Sequence, residues 1–142
     1  MKYDEFIAQV RHRARLATTE EAERATRATL QTLAERIEID EVKDLVSQLP
    51  QELALYMQSS TMGIAESFSL DEFFHRVSER EGTDLADATF HARIVTALLS
   101  EVVTIGEIED VRAQLPTDFA KLFEVENEGE VPEIGEIVDV EE

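Results

Sequence analysis

Apolar residues recur at helical spacing from the start of the chain. Tyr3, Phe6, Ile7 and Val10 follow one another at intervals of three or four residues, so they lie on one face of a helix. The flanking positions are mostly polar or charged, as expected for the solvent side of such a helix. The pattern predicts an amphipathic first helix.

Three further helices are predicted in the same segment. Thr18 and Glu21 form a capping box that begins a long helix. Asp40 is suited to cap a short third helix, and Pro50 begins a fourth, because its missing N–H is tolerated in a first turn. Residues 1–57 are therefore predicted to form a four-helix unit.

The same plan returns in the second half of the chain. Asp4-Glu5-Phe6 recurs as Asp71-Glu72-Phe73 at a separation of 67, and Gln48-Leu49-Pro50 recurs as Gln114-Leu115-Pro116 at a separation of 66. Such a period indicates an internal repeat. We predict an all-α fold in which two four-helix units pack into one compact helical domain. The predicted division is helical repeat 1 (1–57), linker (58–68), helical repeat 2 (69–123) and acidic tail (124–142).

The long helix of the second repeat is apolar over a wide arc, including Phe90, Ile94 and Leu98. A helix of this kind has to be covered on several sides. We therefore expect it at the centre of the fold, in contact with both repeats.

The charge of the chain is strongly acidic and unevenly distributed. Thirteen basic and 32 acidic residues give a net charge of -19, and residues 124–142 hold 9 acidic residues and no basic ones. This balance argues against direct nucleic-acid binding, which needs a cationic face. A surface rich in Asp and Glu and poor in Lys is typical of adaptation to a salt-rich cytosol; an ordinary acidic protein is the alternative. No apolar run suggests a signal peptide or a membrane span, so a cytoplasmic location without membrane association is expected.

Candidate chemistry is sparse. The chain has no Cys, and His12, His75 and His91 have no His at the equivalent position of the other repeat, which argues against a duplicated metal site. The carboxylates are expected on polar faces, where burial cannot separate their pKa values for acid–base work. We predict no catalytic residue, no cofactor and no metal site.

Two arginine positions recur between the repeats, since Arg13 matches Arg80 and Arg27 matches Arg93. Asp44 likewise matches Asp110. We interpret them as structural ion pairs that join the long helix of each repeat to its short third helix. The alternative is a pair of symmetric anion sites.

The acidic tail is more apolar than a solubilising tail requires. Val131, Ile134, Ile137 and Val138 alternate with acidic residues, so this segment is a candidate partner-binding peptide. A solvated tail is the alternative. Glu124, Glu126 and Glu128 imitate part of a calcium loop, but the bidentate Glu of that motif is missing, which indicates only weak cation condensation.

The motifs resemble those of the two-repeat helical family known as domain of unknown function 2267. The resemblance is carried by Tyr3-Asp4-Glu5-Phe6, the Glu20–Ala25 segment, Phe68–Phe73, Glu109–Arg112 and the two Gln-Leu-Pro triplets, and it covers residues 1–123. These motifs are helix starts and core positions. The resemblance therefore implies a fold, and the family has no established activity or catalytic residues to carry over.

Three functional hypotheses follow. The first is a non-enzymatic module that binds an unknown protein partner through a groove of the repeats, through the tail, or through both. The second is an acidic regulator that mimics nucleic-acid charge and sequesters a basic or ribosomal partner. The third is an enzyme, which requires a concave pocket with a buried acid or His. The oligomeric state stays open.

Overall fold

A computed structural model describes residues 1–59 and 64–124, and the regular structure in these ranges is entirely helical. The predicted all-α class is confirmed. The helices are α1 (Tyr3–Arg13), α2 (Thr19–Arg36), α3 (Ile39–Val46), α4 (Gln51–Gln58), α5 (Leu70–Glu81), α6 (Leu85–Val102), α7 (Ile105–Ala113) and a terminal 3-10 helix (Thr117–Leu122).

The predicted capping box at the start of α2 is confirmed. The Thr18 hydroxyl accepts a hydrogen bond from the Glu21 N–H at 3.1 Å, and the Glu21 carboxylate accepts one from the Thr18 N–H. The predicted cap of α3 is wrong, because Glu38 rather than Asp40 is its N-cap. The Glu38 N–H is satisfied by the side chain of Gln114, so α3 can begin two residues earlier than its own sequence indicates.

The most enclosed helix is α2 and not α6. Helix α2 packs against α1, α4, α5 and α6, whereas α6 packs against α1, α2, α5 and the terminal 3-10 helix. Small buried residues such as Ala22, Ala25 and Ala28 let neighbours approach α2 closely on several sides. Helix α6 contacts elements of both halves, as predicted, but it lies beside the central helix.

One apolar core runs through both halves of the described chain. Phe6 and Phe73, which correspond in the two halves of the sequence, are both fully buried in it. The ring of Phe73 packs edge-on against that of Phe119, with centroids 5.9 Å apart. The core positions predicted from helical spacing are therefore confirmed at these residues.

The last element is a 3-10 helix where a further α-helix was expected. Its buried residues Phe119 and Leu122 are three positions apart, which matches the period of a 3-10 helix. Of the predicted linker, residues 60–63 lie outside the described ranges, and Glu66 donates its N–H to the Glu35 carbonyl at 2.8 Å. Within the described residues, no helix combines the length and apolarity needed to cross a membrane.

Candidate functional sites

Two ion pairs join the halves of the chain in a crosswise manner. Arg13 on α1 contacts Glu101 on α6 at 2.7 Å, and Arg80 on α5 contacts Glu35 on α2 at 2.7 Å. In the sequence, Arg80 follows Arg13 by 67 positions and Glu101 follows Glu35 by 66. The arginine on the first helix of each half therefore binds the glutamate on the long helix of the other half. Arg13 and Arg80 thus act as structural clamps between the two halves.

The ion pairs expected at Arg27 and Arg93 differ from the observed contacts. Arg27 and Asp44 are both exposed, and the described residues include no ion pair between them. Arg93 donates to the Lys121 carbonyl at 2.8 Å and to the Glu124 carboxylate at 2.9 Å. The physical reason lies in the short helices: α3 packs against α4 and α7, so its outer face does not turn toward α2. Asp110 is likewise exposed, on α7.

The predicted partner-binding residues Val131, Ile134, Ile137 and Val138 lie outside the described residues. The incomplete calcium-loop pattern after Glu124 also lies outside them.

A groove of about 660 Å³ lies between α1 and α2, and we call it the α1–α2 groove. Ile7, Ala8 and Leu16 supply its apolar surface, and Arg11 and Arg15 supply cationic groups. Asp4 and Glu23 also line the groove, and the Glu23 carboxylate accepts a hydrogen bond from the Tyr3 hydroxyl at 2.8 Å. The groove thus offers apolar surface beside guanidinium groups on a protein whose net charge is strongly negative.

Arg15 has an unusual backbone. Its φ is 57°, and it is the one residue other than Gly with a positive φ in the described part of the chain. Leu16 donates its N–H to the Arg11 carbonyl, which gives α1 the left-handed ending typical of helix C-termini. Gly82, 67 positions later in the sequence, takes the same role after α5, with φ of 76°.

A second concavity of about 400 Å³ lies between the loops that follow α1 and α5, and we call it the loop cleft. Arg15 and Arg24 line it from one half of the chain, and Glu81 and His91 line it from the other. The Nδ1 atom of His91 is 2.5 Å from the Glu81 carboxylate, and both side chains are buried. The second oxygen of Glu81 is buried without a hydrogen-bond partner among the described residues.

The His91–Glu81 pair has an apolar counterpart in the first half. At the repeat separations, His91 corresponds to Ala25 and Glu81 to Ala14, and both alanines are buried. His91 is buried and hydrogen-bonded, which its sequence neighbours on α6 do not reveal. His75 is exposed, with its Nδ1 atom 2.9 Å from the Asp71 carbonyl oxygen.

A third constellation lies where α3 and α7 meet, and we call it the carboxylate cluster. One carboxylate oxygen from each of Glu41, Glu107 and Asp110 lies within 4.8 Å of the other two. Glu41 is 8% exposed and Glu107 is 6% exposed, whereas Asp110 faces solvent. The prediction that the carboxylates stay on polar faces is therefore wrong at Glu41, Glu81 and Glu107, because tertiary contacts cover these positions.

Two glutamines explain why the two buried glutamates turn toward each other. Glu41 and Glu107 occupy the third position of α3 and α7, where a glutamate side chain usually accepts the N-cap N–H of its own helix. Here the side-chain oxygen of Gln114 accepts a hydrogen bond from the Glu38 N–H at 2.9 Å. The side-chain oxygen of Gln48 accepts one from the Thr104 N–H at 2.8 Å. Each N-cap donor is thus satisfied from the opposite half of the chain, so the glutamates are left without that partner.

The pKa of Glu107 is raised from 4.5 to about 8, first by burial and then by a hydrogen bond with Glu41 and repulsion from its charge. Gln114 donates its side-chain N–H to Glu41 at 3.1 Å. At neutral pH, which lies below its raised pKa, Glu107 is mostly protonated.

Sequence reasoning had a usable signal for the carboxylate cluster but not for the His91–Glu81 pair. The recurrence of Glu41 as Glu107 and of Gln48 as Gln114 was visible in the repeat. Their mutual contact depends on how α3 meets α7, which no local pattern encodes. Glu81 has no charged counterpart in the first half of the chain, where Ala14 lies at the corresponding position.

Comparison with curated proteins finds no match for this chain. The model of a family described as "Uncharacterized conserved protein (DUF2267)" matches residues 3–122, which is most of the chain and nearly all of its described helices. The chain therefore belongs to the DUF2267 family.

Proposed function

We propose that this protein is a non-enzymatic interaction module that binds an acidic, partly apolar segment of another protein in its α1–α2 groove. The observation that carries the proposal is the position of Arg15, which lines both this groove and the loop cleft. Its guanidinium group is exposed, and no ion pair engages it within residues 1–59 and 64–124.

The backbone of Arg15 supports a role beyond folding. A left-handed conformation costs a residue with a side chain roughly 1–2 kcal/mol, whereas Gly adopts it freely. The corresponding position in the second half is Gly82, so the same helix ending can be made without that cost. A non-glycine residue kept at a strained position on a concave surface suggests a function for its side chain.

The groove also indicates the chemistry of its partner. The accessible apolar surface of Ala8 and Leu16 favours apolar side chains of a partner, and Arg11 and Arg15 favour its carboxylates. A segment that alternates valine or isoleucine with acidic residues meets both requirements. Residues 131–142 of this chain have that composition, so a peptide with this sequence is a suitable probe.

The proposal includes a duplicated origin of the fold, with repeats 1–57 and 69–123 separated by a linker and followed by an acidic tail. Sixteen sequence identities at separations of 67 and 66 support it. The equal 18-residue lengths of α2 and α6 and the left-handed endings of α1 and α5 also agree with it. Divergence after duplication then leaves Arg15 in one copy alone.

The setting that we propose is a salt-rich cytosol. High ionic strength weakens exposed charge pairs, so the apolar surface of the groove has to supply the salt-resistant part of the affinity. The acidic tail is a proposed second contact through Val131, Ile134, Ile137 and Val138.

The test is a titration of the full-length protein with a synthetic peptide of residues 131–142, followed by NMR amide shifts. We expect shifts at Ala8 and Leu16 and binding that persists in high salt. Ala8→Trp fills the groove, and Arg15→Gly removes the guanidinium group without backbone strain. Each change should weaken binding about tenfold, equivalent to ~1.4 kcal/mol. Arg27→Ala, which removes a positive charge from the exposed face of α2, is the matched control and should bind normally.

Two results would overturn the proposal. One is equal peptide affinity in wild-type protein, Arg15→Gly and Ala8→Trp. The other is the absence of peptide binding together with strong, salt-sensitive binding of a lysine-rich peptide, which would favour the alternative function of an acidic regulator that mimics nucleic-acid charge.

A further inference from the structure

We propose that the carboxylate cluster of Glu41, Glu107 and Asp110 is a binding site for a divalent cation that prefers oxygen ligands, Mg²⁺ or Ca²⁺. The three carboxylates come from α3 and α7, at a place that shares no residue with the α1–α2 groove. The proposal is therefore independent of the proposed function.

The first support is a pair of buried oxygens without partners. The Oε2 atoms of Glu41 and Glu107 are both buried, and neither has a hydrogen-bond partner among the described residues. Both side chains are more than nine-tenths buried, and one carboxylate oxygen of each lies within 4.8 Å of the other. Buried oxygens that are left unsatisfied are costly, and a cation between them satisfies both.

The second support is the way in which the site is held in place. The side-chain oxygens of Gln114 and Gln48 accept hydrogen bonds from the N-cap N–H groups of α3 and α7. Glu41 and Glu107 do not have to satisfy these donors, so they are available as ligands. Gln114 also donates its side-chain N–H to Glu41 at 3.1 Å. One amide group thus orients Glu41 and also satisfies the N-cap of α3. Metal sites commonly rely on such outer contacts to orient their ligands.

The arrangement suits a hard cation with retained water. Two buried carboxylates form the floor of the site, and exposed Asp110 leaves its outer side open to solvent. Mg²⁺ keeps several waters and binds through one or two carboxylates, and Ca²⁺ accepts a similar mixture of ligands. The absence of thiolate and imidazole from the cluster disfavours softer metals.

The test is isothermal titration calorimetry of full-length, chelator-treated protein with MgCl₂ or CaCl₂ alone. A high and constant concentration of KCl suppresses diffuse binding to exposed acidic groups, including those of residues 124–142. We expect one saturable site per chain. Glu107→Gln should lower the affinity by more than about tenfold, and Gln114→Ala by about tenfold.

Glu109→Gln is the matched control, because it removes the same charge from an exposed position on α7. It should bind the cation with wild-type affinity. Thermal melts in EDTA guard against a folding artefact, since Glu107→Gln replaces a buried carboxyl group with a neutral amide of similar size and should melt at or above the wild-type temperature. In wild-type protein the cation should raise the melting temperature, and in Glu107→Gln this increase should be lost.

Three results would overturn the proposal. Equal binding by Glu107→Gln and Glu109→Gln would mean diffuse condensation on acidic groups. The absence of saturable binding by the wild-type protein would mean that the glutamates only share a proton. A cation-induced rise in melting temperature that survives in Glu107→Gln would place the effect elsewhere in the chain. None of these results bears on peptide binding at Arg15.

Discussion

Arg13 on α1 donates two hydrogen bonds to the carboxylate of Glu101 on α6, at 2.7 and 3.0 Å. This contact spans 88 positions of sequence, and its counterpart joins Arg80 to Glu35. The two pairs differ in their surroundings. Glu101 is half exposed, whereas the Glu35 side chain is 13% exposed and is also contacted by Arg76 at 2.9 Å.

This difference predicts unequal energies for the two clamps. In double-mutant cycles monitored by urea unfolding, we expect a coupling energy of about 0.5 kcal/mol for Arg13 with Glu101. For Arg80 with Glu35 we expect more than ~1 kcal/mol, because that pair is less solvated and belongs to a network. Equal coupling energies would contradict the role assigned to burial, and increasing salt should weaken the Arg13 pair first.

Arg15→Gly is predicted to stabilise the protein. Glycine relieves the left-handed backbone strain but increases the entropy of the unfolded chain, so we expect a net gain of about 0.5–1 kcal/mol in the free energy of unfolding. Urea titration measures this change. Gly82→Ala is the complementary variant and should destabilise the protein by a similar amount, since Gly82 also has a positive φ. A loss of stability in Arg15→Gly would mean that the side chain has a structural role.

The buried His91–Glu81 pair is predicted to be strongly non-additive. Replacing one partner leaves the other buried without its hydrogen bond, so His91→Ala or Glu81→Ala should each cost about 3 kcal/mol or more. The double variant recreates the pair of alanines found at positions 14 and 25, and it should cost less than the more damaging of the two single variants. Chemical denaturation measures all three changes. Additive losses would show that the two side chains act independently.

Stability is predicted to fall with rising pH because of Glu107. Its folded-state pKa of about 8 lies above its ordinary value of 4.5, so the folded protein keeps a proton that the unfolded chain releases. The resulting stabilisation is fully present below pH 4.5, declines as the pH rises, and is lost above about pH 8. Relative to wild-type protein, Glu107→Gln should gain about 1 kcal/mol or more over that range. The measurement is urea unfolding in EDTA at several pH values, and a pH-independent difference would contradict the assigned cause.

Leu99→Ala is predicted to cost about 3 kcal/mol, because Leu99 is 1% exposed within the core. Ile105→Ala is a suitable control, since Ile105 is 78% exposed and its truncation should change the free energy of unfolding by less than ~0.5 kcal/mol. Thermal or chemical denaturation distinguishes the two. A loss below about 1 kcal/mol for Leu99→Ala would contradict its place in the core.

Much of the helical framework was predictable, and the errors arose where a contact depends on residues that are far apart in the sequence. The capping box at Thr18 and the burial of Phe6 and Phe73 follow from interactions within one helix or from helical spacing. The cap of α3 was misplaced because its N–H partner, Gln114, lies 76 positions away. The expected pair of Arg27 with Asp44 lies within one half of the chain, but α3 packs against α4 and α7 and both side chains are exposed.

The sequence by itself determined where most of the helices begin, which of their faces are apolar and how the charge is distributed, because these properties depend on neighbours within a few residues. Only the tertiary structure decided which charges are buried and which partners they meet. Glu41 and Glu107 read as exposed acidic residues along the chain, yet they become a buried pair where α3 meets α7. The reason is that burial and long-range hydrogen bonding depend on how helices pack, and local periodicity does not specify that packing.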